Sequence, residues 1–572
     1  MNDFKELQKS SRNITGKLIK LALLSDNSTQ LLSTAIKGYG AEYGMNINIF
    51  EAGYDQIDLL AFNNQSILYT DNFDFILIYI SSEKLYDKFI NFQNNKRENF
   101  ADEYISYINT LINTIKSQTK SKFIIFNFIS LENDIFGNYS LSVKSSFSFQ
   151  IMKLNYLLNE QSILSSIHIL DFNKICQLYG YNNIINKKYY YAAKITINME
   201  YLPVVAKNIT DIISAAAGQM KKCVILDLDN TLWGGVVGDE GCDKIQIGSL
   251  GNGYIYTDIQ KYFKELKNRG IILAVCSKND ENNAKEPFLK NKEMVLSLDD
   301  ITVFTANWKD KASNIADIQK QLNISYDSMV FIDDNPAERE LVKNTIPDIT
   351  VPDLPNEPEK YLSFIKSLNL FETASFSKED VIRTNFYHEE FKRNENKKQF
   401  SSIDEYLANL EMRASVKPID NFNYARTAQL TQRTNQFNMR SSRYTDEDII
   451  NIMHSKEYAS LIFNLKDKFG DYGIISAVIL KISNNNIFID TWVMSCRVFG
   501  RSLENFIMHK IIEYAKTHNI STVTAEYIQT NKNTMLKNLY LDFNFKKENN
   551  LFILNTADYK EKKYFIKEET NV

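Results

Sequence analysis

Short apolar runs alternate with amphipathic stretches through the first part of the chain. Four of the runs are typical of buried strands, at 19–26, 73–80, 122–130 and 166–172. Stretches with helical spacing of apolar residues, such as 103–118, lie between them. Because strands that alternate with helices form a parallel sheet covered on both faces, residues 1–215 are predicted to form an α/β domain.

The same alternation continues from residue 216 to 375. Three strands are predicted, in KCVILDLD (222–229), IILAVCS (271–277) and SMVFIDD (328–334). One helix ends near Gly270, and another runs through KASNIADIQKQL (311–322). Three of the eight prolines lie between 351 and 358 and mark a turn away from this second parallel sheet.

The pattern changes in the last third of the chain. Residues 376–404 are highly charged and are predicted to be a helical linker. In the segment 405–572, residues 471–495 read as two strands joined by an Asn-rich hairpin turn, and a helix (501–519) and a further strand follow. The predicted fold class is therefore α/β, with two parallel-sheet domains and a C-terminal α+β domain.

The amino-acid composition argues against some classes of protein and partner. The 572 residues are 44% hydrophobic and 24% charged, with a formal net charge of −4. A nucleic-acid-binding protein usually carries a basic face, whereas this chain has a negative net charge, so nucleic acid is not an expected partner. No apolar run is long enough to span a membrane, so a membrane is not an expected partner either. The five cysteines are scattered without C-x-x-C spacing. This favours free thiols and a cytoplasmic location over disulfides or a zinc site.

Carboxylates follow two of the predicted strands. Asp227 and Asp229 end the strand 222–229, and alternate residues of an extended chain face the same side. Asp333 and Asp334 end the strand 328–334. In an open α/β sheet, functional groups gather beyond the carboxyl ends of the strands. Clustered carboxylates need a cation, and hard oxygen ligands favour Mg²⁺, so a magnesium site with one nucleophilic carboxylate is predicted.

Two further residues fit phosphoryl chemistry. Ser277 ends the strand 271–277 and can donate to a phosphate oxygen. Lys311 opens the helix 311–322, where its charge and the helix N-terminus both favour an anion, and Lys309 is close enough to be a rival. Each feature alone is more often an ordinary turn or surface residue. Their order at successive strand ends favours a phosphoryl-transfer site.

This order of motifs resembles that of the haloacid dehalogenase superfamily. The resemblance implies that Asp227 is the nucleophile, forming an aspartyl phosphate, and that Asp229 is the general acid/base. It implies phosphoryl-group binding by Thr231, Ser277, Asn279 and Lys311. It implies Mg²⁺ binding by Asp227, Asp229, Asp333 and Asp334. Little chain separates the motifs, so a large cap domain is not expected.

Longer runs are similar to the FkbH family: D-L-D-N-T-L-W-G-G-V-V-G-D-E-G, A-V-C-S-K-N-D, N-W-K-D-K-A-S-N-I and F-I-D-D-N-P-A-E-R-E. The similarity spans roughly residues 216–545. It implies that the protein takes the glyceryl unit of 1,3-bisphosphoglycerate, or a related phosphorylated molecule, and removes phosphate. It further implies delivery of the glyceryl group, as a thioester, to an acyl carrier protein. The glycines between 234 and 241 would form a flap, with Trp233 either anchoring it or contacting substrate.

Acyl transfer through the protein needs a thiolate. Cys276 precedes Ser277 and is expected at the rim of the phosphate site, unless its side chain faces the core on the opposite side of the strand. Cys496 is followed by Arg497, whose charge would favour a thiolate. Free cysteines are most often small buried hydrophobes, so transfer without a covalent cysteine stays open. The residues next to the remaining thiols give less support to a role in acyl transfer; these thiols are Cys176, Cys223 and Cys242.

The stretch R-V-F-G-R-S (497–502) opens the predicted helix of the last segment. It is similar to the R/Q-x-x-G-x-G/A loop of GNAT acetyltransferases, in which exposed N–H groups bind a pyrophosphate. The resemblance implies that a phosphopantetheine arm, of CoA or of a carrier protein, is bound by Arg497, Gly500, Arg501 and Ser502. Ser502 replaces the final small residue, which leaves acetyl-CoA use open. Residues 435–438 and 531–533 either line the same pocket or simply cap loops.

The first segment resembles a degenerate SGNH hydrolase. Ser25 follows the strand 19–26 near the expected position of the nucleophile. Asp171 lacks the expected histidine three residues on, where Lys174 stands, and His168 reads as a strand residue. Without that base Ser25 is not activated, so a binding or docking domain is favoured over an esterase.

These observations predict four segments: an SGNH-like domain (1–215), a catalytic domain (216–375), the linker (376–404) and a GNAT-like domain (405–572). The favoured function is a Mg²⁺-dependent phosphatase and glyceryl transferase. The first alternative is a phosphatase of a small metabolite coupled to a GNAT-like acetyltransferase. The second is a non-enzymatic scaffold that recruits a carrier protein, against which the complete set of motifs argues.

Overall fold

The computed structural model describes residues 3–12, 16–132, 135–165, 167–376, 393, 400–483 and 485–569. The chain divides into two compact units, Met1–Ala216 and Ala217–Val572. The second and third predicted domains both lie in the second unit. Most of the predicted linker lies outside the described residues. None of the helices in the described ranges is both long and apolar enough to span a membrane.

The first unit contains five strands and eleven α-helices among its described residues. The strands are β1 (Lys17–Ser25), β2 (Met45–Glu51), β3 (Phe75–Tyr79), β4 (Lys122–Phe126) and β5 (His168–Leu170). The helices are α1 (Phe4–Ser10), α2 (Gln30–Glu42), α3 (Ile57–Ala61), α4 (Ile67–Thr70), α5 (Ser82–Ile90), α6 (Phe100–Lys116), α7 (Phe147–Ser165), α8 (Phe172–Tyr179), α9 (Tyr181–Ile184), α10 (Lys187–Ala193) and α11 (Leu202–Ala216).

The five strands form one parallel sheet in the order β2-β1-β3-β4-β5. All five residues of β3 are buried, which is why this strand reads as an unbroken apolar run. The four strands predicted from the sequence are confirmed. The edge strand β2 was not predicted, although its residues (MNINIFE) alternate between polar and apolar as in a partly covered strand.

The second unit begins with a smaller α/β region. Its strands are β6 (Cys223–Leu226), β7 (Ile272–Ser277), β8 (Val303–Ala306) and β9 (Met329–Ile332). Its helices are α12 (Val237–Glu240), α13 (Asn252–Asn268), α14 (Glu281–Lys290), α15 (Lys311–Leu322), α16 (Pro336–Thr345) and α17 (Tyr361–Ser367). The strands are all parallel, in the order β8-β7-β6-β9.

Alternate residues of β6 pack into two separate apolar cores. Val224 and Leu226 face the core that contains α13, whereas Cys223 and Ile225 face the core that contains α15. Helices therefore cover both faces of this sheet, as the alternating pattern predicted. The strand β8 was not predicted, because its four residues are only partly apolar and partly buried.

The rest of the second unit is an eight-stranded mixed sheet with helices. Its strands are β10 (Arg413–Lys417), β11 (Tyr458–Asp467), β12 (Gly470–Ser483), β13 (Asn486–Met494), β14 (Thr522–Glu526), β15 (Lys546–Glu548), β16 (Leu551–Asn555) and β17 (Lys567–Glu568). Its helices are α18 (Ile403–Asn409), α19 (Tyr424–Arg433), α20 (Asp446–His454), α21 (Leu503–Thr517) and α22 (Leu539–Asp542). The strand order is β15-β16-β14-β13-β12-β11-β10-β17.

Two features of this sheet matter for the sites described below. The predicted hairpin is confirmed as the antiparallel pair β12–β13. Strands β13 and β14 pair in parallel only along Asn486–Ile489. Beyond that point the segment around Met439 bridges them, since the Met439 N–H donates to Trp492 O (3.3 Å) and the Ile528 N–H donates to Met439 O (2.9 Å).

A buried ion cluster fixes the start of β12. The Asp467 carboxylate is fully buried and accepts hydrogen bonds from Arg393 Nε (2.7 Å) and Nη2 (2.9 Å). Arg501 Nη1 lies 3.4 Å from the same carboxylate. Burial alone would raise the pKa of Asp467, but the hydrogen bonds and charge of Arg393 outweigh burial and lower it.

We expect Asp467→Ala to lower the free energy of unfolding of the second unit by about 3–5 kcal/mol, since it removes the carboxylate from between buried guanidinium groups. Denaturant titration of the full chain measures this. The control Lys320→Ala removes an exposed partner 3.8 Å from Asp317 and should change stability by less than about 0.5 kcal/mol. Equal effects of the two changes would contradict a structural role for the cluster.

Candidate active site

The predicted carboxylates lie at one edge of the four-stranded sheet. Asp227 follows the central strand β6, Ser277 ends its neighbour β7, and Asp333 follows its other neighbour β9. The Asp227 N–H donates to Ile332 O (3.0 Å), which continues the ladder between β6 and β9 to the start of the site. Parallel pairing of apolar strands therefore places three polar residues together.

Three carboxylates form a compact cluster. Asp227, Asp333 and Asp334 each offer an oxygen within 4.8 Å of the others. Asp227 is 6% exposed and Asp333 is fully buried. Burial and the neighbouring charge of Asp227 raise the pKa of Asp333 above its usual value, and the same two causes raise the pKa of Asp334. Buried hard oxygen donors at this spacing fit a divalent cation such as Mg²⁺.

Lys311 is the cation within the cluster. It is the first residue of α15, whose N-cap Asp310 accepts from the Ser313 N–H, and it is only 3% exposed. Its ammonium lies 3.0 Å from Asp227 Oδ1 and donates a hydrogen bond to Asp333 Oδ2. Burial lowers the pKa of Lys311, but the two carboxylates outweigh burial and hold it above its usual value. Lys309, the rival, is exposed.

Asp229 faces away from this cluster. Its Oδ1 accepts from Trp233 Nε1 (2.9 Å) and from the Val237 N–H (3.0 Å), and its Oδ2 accepts from Asn279 Nδ2 (3.2 Å). Its carboxylate is not part of the cluster of Asp227, Asp333 and Asp334, and its role as a metal ligand stays a prediction. Burial raises the pKa of Asp229, which suits a residue that has to carry a proton.

The other predicted phosphate-binding residues surround the carboxylates. Thr231 is buried, and its Oγ1 accepts from the Asp334 N–H (3.2 Å), so it braces the acidic loop. Ser277 is 2% exposed at the end of β7. Asn279 is 4% exposed and orients Asp229 through its amide. Their placement is consistent with the predicted roles, which stay predictions.

The glycine-rich segment is anchored by Trp233. The indole is fully buried and packs edge-on against Phe288, with ring centroids 5.7 Å apart. Trp233 therefore holds the segment to the core rather than contacting a substrate. Gly235 has φ +92°, and its N–H donates to Asn230 Oδ1 (2.9 Å). This turn lets the chain double back over Asp229.

Arg339 is a site residue that the sequence motifs did not assign. It is 7% exposed on α16, and its Nη1 donates to Asp333 O (2.9 Å) and to Asp334 O (2.6 Å). It thereby fixes the backbone that carries two of the carboxylates. The available signal was the placement of an arginine in the turn of helix directly after the Asp333–Asp334 pair.

Two comparisons with known proteins show the family of the chain, and the first of them matches the first unit rather than this site. The sequence profile described as "FkbH, N-terminal domain" matches residues 20–214. A crystal structure of the N-terminal part of a Bacteroides fragilis protein, containing a phosphatase domain and complexed with Mg, is 44% identical. The alignment covers 66% of this chain and 100% of that one, with a TM-score of 0.63. The chain belongs to the FkbH family.

Two further solved structures have low sequence identity and low TM-scores with this chain. An Escherichia coli ribosomal-protein-S18-alanine N-acetyltransferase is 11% identical over 27% of this chain and 99% of its own, with a TM-score of 0.21. A Vibrio cholerae spermidine/spermine N-acetyltransferase is 11% identical over 26% of this chain and 96% of its own, again with a TM-score of 0.21. The comparison with curated proteins found no match.

The FkbH chain buries four of its five cysteines. Cys276 faces the core beneath α15, where its Sγ lies 3.8 Å from Lys311 O, and burial raises its pKa to about 12. Of the two positions considered for Cys276, the structure shows the core-facing one, since the side chain takes the opposite face of β7 from Ser277. Burial also raises the pKa of Cys176 to about 12. Cys496 alone is partly exposed.

Cys496 lines a cavity of about 90 Å³ between the two sheets of the second unit. Four cationic residues from separate segments contribute to the lining, Lys222, Arg426, Arg433 and Arg497. No Asp or Glu is among the described residues that line it. Lys222, Ile272 and Ser328 lie at the amino ends of β6, β7 and β9, so the cavity is at the opposite edge of that sheet from Asp227.

Of the four residues predicted to bind the phosphopantetheine arm, Arg497 lines the cavity beside Cys496. Arg501 is 4% exposed, and its Nη1 donates to the Tyr472 hydroxyl within the Asp467 cluster. Its guanidinium is thus engaged inside the protein, and its predicted contact with the arm stays a prediction. Gly500 has φ +72° and Ser502 φ +56°. The Ser502 hydroxyl donates to Arg501 O (2.6 Å), which holds the loop in a fixed turn. Arg497 remains as a residue that lines the cavity.

The two Asn-containing segments have different positions. Residues 435–437 line the cavity with Cys496. Asn438 is 1% exposed and Asn533 fully buried, and the Asn533 amide donates to Asn438 O (2.9 Å). Both therefore fasten the bridge between β13 and β14.

Among the described residues of the first unit, Ser25, Asp171 and His168 make contacts other than those of a hydrolase triad. The Ser25 hydroxyl donates to Tyr79 O (2.9 Å) and is 2% exposed. Asp171 caps α8 by accepting from the Lys174 N–H (3.1 Å), and it also accepts from Asn127 Nδ2 (2.7 Å). His168 lies within β5, and burial lowers its pKa to about 4. These contacts agree with the expectation that Ser25 is not an activated nucleophile.

We expect Lys311→Met to reduce phosphatase activity by about 10²-fold or more, since it leaves the clustered carboxylates without their cation. Steady-state release of phosphate from p-nitrophenyl phosphate measures this. The matched control Lys309→Met changes an exposed lysine two residues away and should keep nearly full activity. The reverse ranking of the two variants would identify Lys309 as the phosphate-binding lysine.

We expect brief iodoacetamide treatment of the native chain to modify Cys496 first, because the other four thiols are buried. Peptide mass mapping at increasing times gives the order of labelling. The Cys496→Ala variant should take up no label over the same period. Early labelling of Cys276 would show that the core beneath α15 opens readily.

Proposed function

We propose that this FkbH-family protein is a Mg²⁺-dependent phosphatase and glyceryl transferase. It removes phosphate from a glyceryl substrate derived from 1,3-bisphosphoglycerate and loads the glyceryl group, as a thioester, on an acyl carrier protein in the cytoplasm. The cluster of Asp227, Asp333 and Asp334 around buried Lys311 carries the phosphatase half. The Bacteroides fragilis phosphatase-domain structure with Mg supports the same half.

The site residues divide the phosphoryl chemistry among them. A carboxylate oxygen of Asp227 attacks the phosphorus, and the bond from phosphorus to the substrate oxygen breaks. Asp229 gives its proton to that leaving oxygen, and then takes a proton from the water that cleaves the aspartyl phosphate. Asp227 is regenerated as inorganic phosphate leaves. Lys311 and Ser277 hold the phosphoryl oxygens throughout.

The residues that would hold Mg²⁺ are Asp227, Asp333 and Asp334. Bound there, the ion supplies positive charge that offsets the phosphoryl oxygens. Lys311 already offsets part of the carboxylate charge in its absence. Arg339 keeps the loop of Asp333 and Asp334 in position through its two backbone hydrogen bonds.

Cys496 is the thiol best placed for the transferase half. As a thiolate it would attack the acyl carbon of the acyl phosphate; the bond from that carbon to the phosphate oxygen breaks and phosphate leaves. The resulting thioester then passes to the thiol of the carrier's phosphopantetheine arm, whose proton goes to the Cys496 sulfur. The cationic lining of the cavity favours an acyl group that still bears a phosphate.

A second candidate is a phosphatase of a small phosphorylated metabolite that needs no carrier. The resemblance to a phosphatase-domain structure favours it, because that likeness concerns phosphate removal alone. The two candidates differ in whether acyl groups reach a carrier protein.

The test is intact mass spectrometry of the protein and a candidate carrier after incubation with 1,3-bisphosphoglycerate and Mg²⁺. We expect a glyceryl adduct without phosphate on the carrier. Free phosphate rising beside an unmodified carrier would favour the plain phosphatase.

Asp227→Asn should reduce removal of the phosphate ester from the glyceryl group by about 10⁴-fold or more, because an amide cannot form the aspartyl phosphate. Release of the acyl phosphate on transfer to Cys496 should continue. The adduct on the carrier should then keep its phosphate. Asp317→Asn, an exposed change on α15, serves as the control and should behave as the parent protein. Turnover retained by Asp227→Asn would remove this residue as the nucleophile.

A further inference from the structure

The strand order of the first unit creates a crevice that the functions above do not use. The chain runs from β1 to β2 on one side and returns to β3 on the other, giving the order β2-β1-β3. At such a reversal the connections leave in opposite directions and open a crevice at the carboxyl ends of the two central strands. Ser25 of β1 pairs with Tyr79 of β3 at that edge.

The residues that follow β1 and β3 meet across this crevice. The Asp26 carboxylate accepts from the Ser81 N–H, with 2.9 Å to Oδ1 and 3.2 Å to Oδ2. The Ser25 hydroxyl accepts from the Asn27 N–H (3.0 Å). These contacts hold the backbone of residues 25–27 in one position, so the Asn27 side chain has a fixed location at the edge of the sheet.

The side-chain amide of Asn27 is the unusual group. The residue is 4% exposed, yet neither Nδ2 nor Oδ1 makes a hydrogen bond within the part of the chain that the structure describes. A buried amide without partners costs free energy, and native proteins rarely keep one without a reason. A ligand that both donates and accepts hydrogen bonds at this point would recover that cost.

The charged groups next to Asp26 are Asp55 and Lys84, which are already paired with each other. Burial raises the pKa of Asp26 to about 7, and burial also raises the pKa of Glu83. Both carboxyl groups interact with Tyr79, the last residue of β3. A crevice in which carboxyl groups already resist ionisation would raise the cost of binding a further negative charge. A neutral ligand with donor and acceptor groups fits better, and the complement of an amide is another amide.

We propose that the crevice between β1 and β3 binds a neutral chain that carries secondary amides, the chemistry of a pantetheine arm. Asn27 Oδ1 accepts from the N–H of one amide of the arm, and Nδ2 donates to the C=O of the other. The choice of this arm rests on the proposed function, in which a carrier protein delivers it. The first unit is then the part of the protein that recognises the carrier's arm.

The test compares two asparagines at the same edge of the sheet. Asn127, which follows β4, is fully engaged, since its Nδ2 donates to Asp171 and its Oδ1 accepts from the Asn173 N–H (2.9 Å). Asn127→Leu should lower the melting temperature of the full chain. Asn27→Leu should leave it unchanged or raise it, because leucine removes a buried amide that has no partner.

D-pantetheine is the probe for binding. It should raise the melting temperature of the parent chain and of Asn127→Leu by about 2–4 °C, and leave Asn27→Leu unshifted. Calorimetry should show affinity at least about tenfold weaker for Asn27→Leu. Inorganic phosphate, an anion without amides, should give no shift that depends on Asn27.

Three outcomes would overturn the proposal. One is a loss of stability in Asn27→Leu as large as that in Asn127→Leu, which would mean that the amide is already paired. The others are no shift with D-pantetheine in the parent chain, or an equal shift in Asn27→Leu. An Asn27-dependent shift in a protein that never loads a carrier would refute the proposed reaction and leave the amide site standing.

Discussion

The second unit is organised around one buried ammonium group. Lys311 lies between Asp227 and Asp333, and without it a cluster of carboxylates at the end of apolar strands would be too costly to keep ionised. The strands deliver the carboxylates, and α15 delivers the lysine from the other side. The charge of Lys311 therefore stabilises the folded cluster and is also the charge that the proposed phosphate substrate would bind. Such a phosphate would compete with the carboxylates for Lys311.

Much of this site could be predicted because its strands are fully buried. Strands covered on both faces read as short apolar runs, so β6, β7 and β9 were recognised, and with them the positions of Asp227 and Asp333. The direction of the Asp229 side chain could not be predicted. It depends on the turn that brings the Val237 N–H back to the Asp229 carboxylate. The two-residue spacing of Asp227 and Asp229 does not indicate such a turn.

The C-terminal loop shows where a local motif is a poor guide. The R-V-F-G-R-S pattern suggests two arginines that both face a ligand, but Arg501 contacts Asp467 and Tyr472 inside a buried cluster. Those partners come from another strand pair and carry no signal near residue 501. Asn27 could not be predicted for a related reason, since the unpaired state of its amide depends on how the ends of β1 and β3 meet, which no local pattern indicates.

The cavity that holds Cys496 and the carboxylate cluster lie at opposite edges of the same four-stranded sheet. A strand of four residues such as β6 spans about 13 Å. In the proposed reaction, an acyl intermediate formed at one edge has to cross that distance before the other edge can act on it. Transfer of the proposed intermediate between the two edges would then compete with its loss to bulk water. The ratio of loaded carrier to free glyceric acid would report how tightly the protein couples its two chemistries.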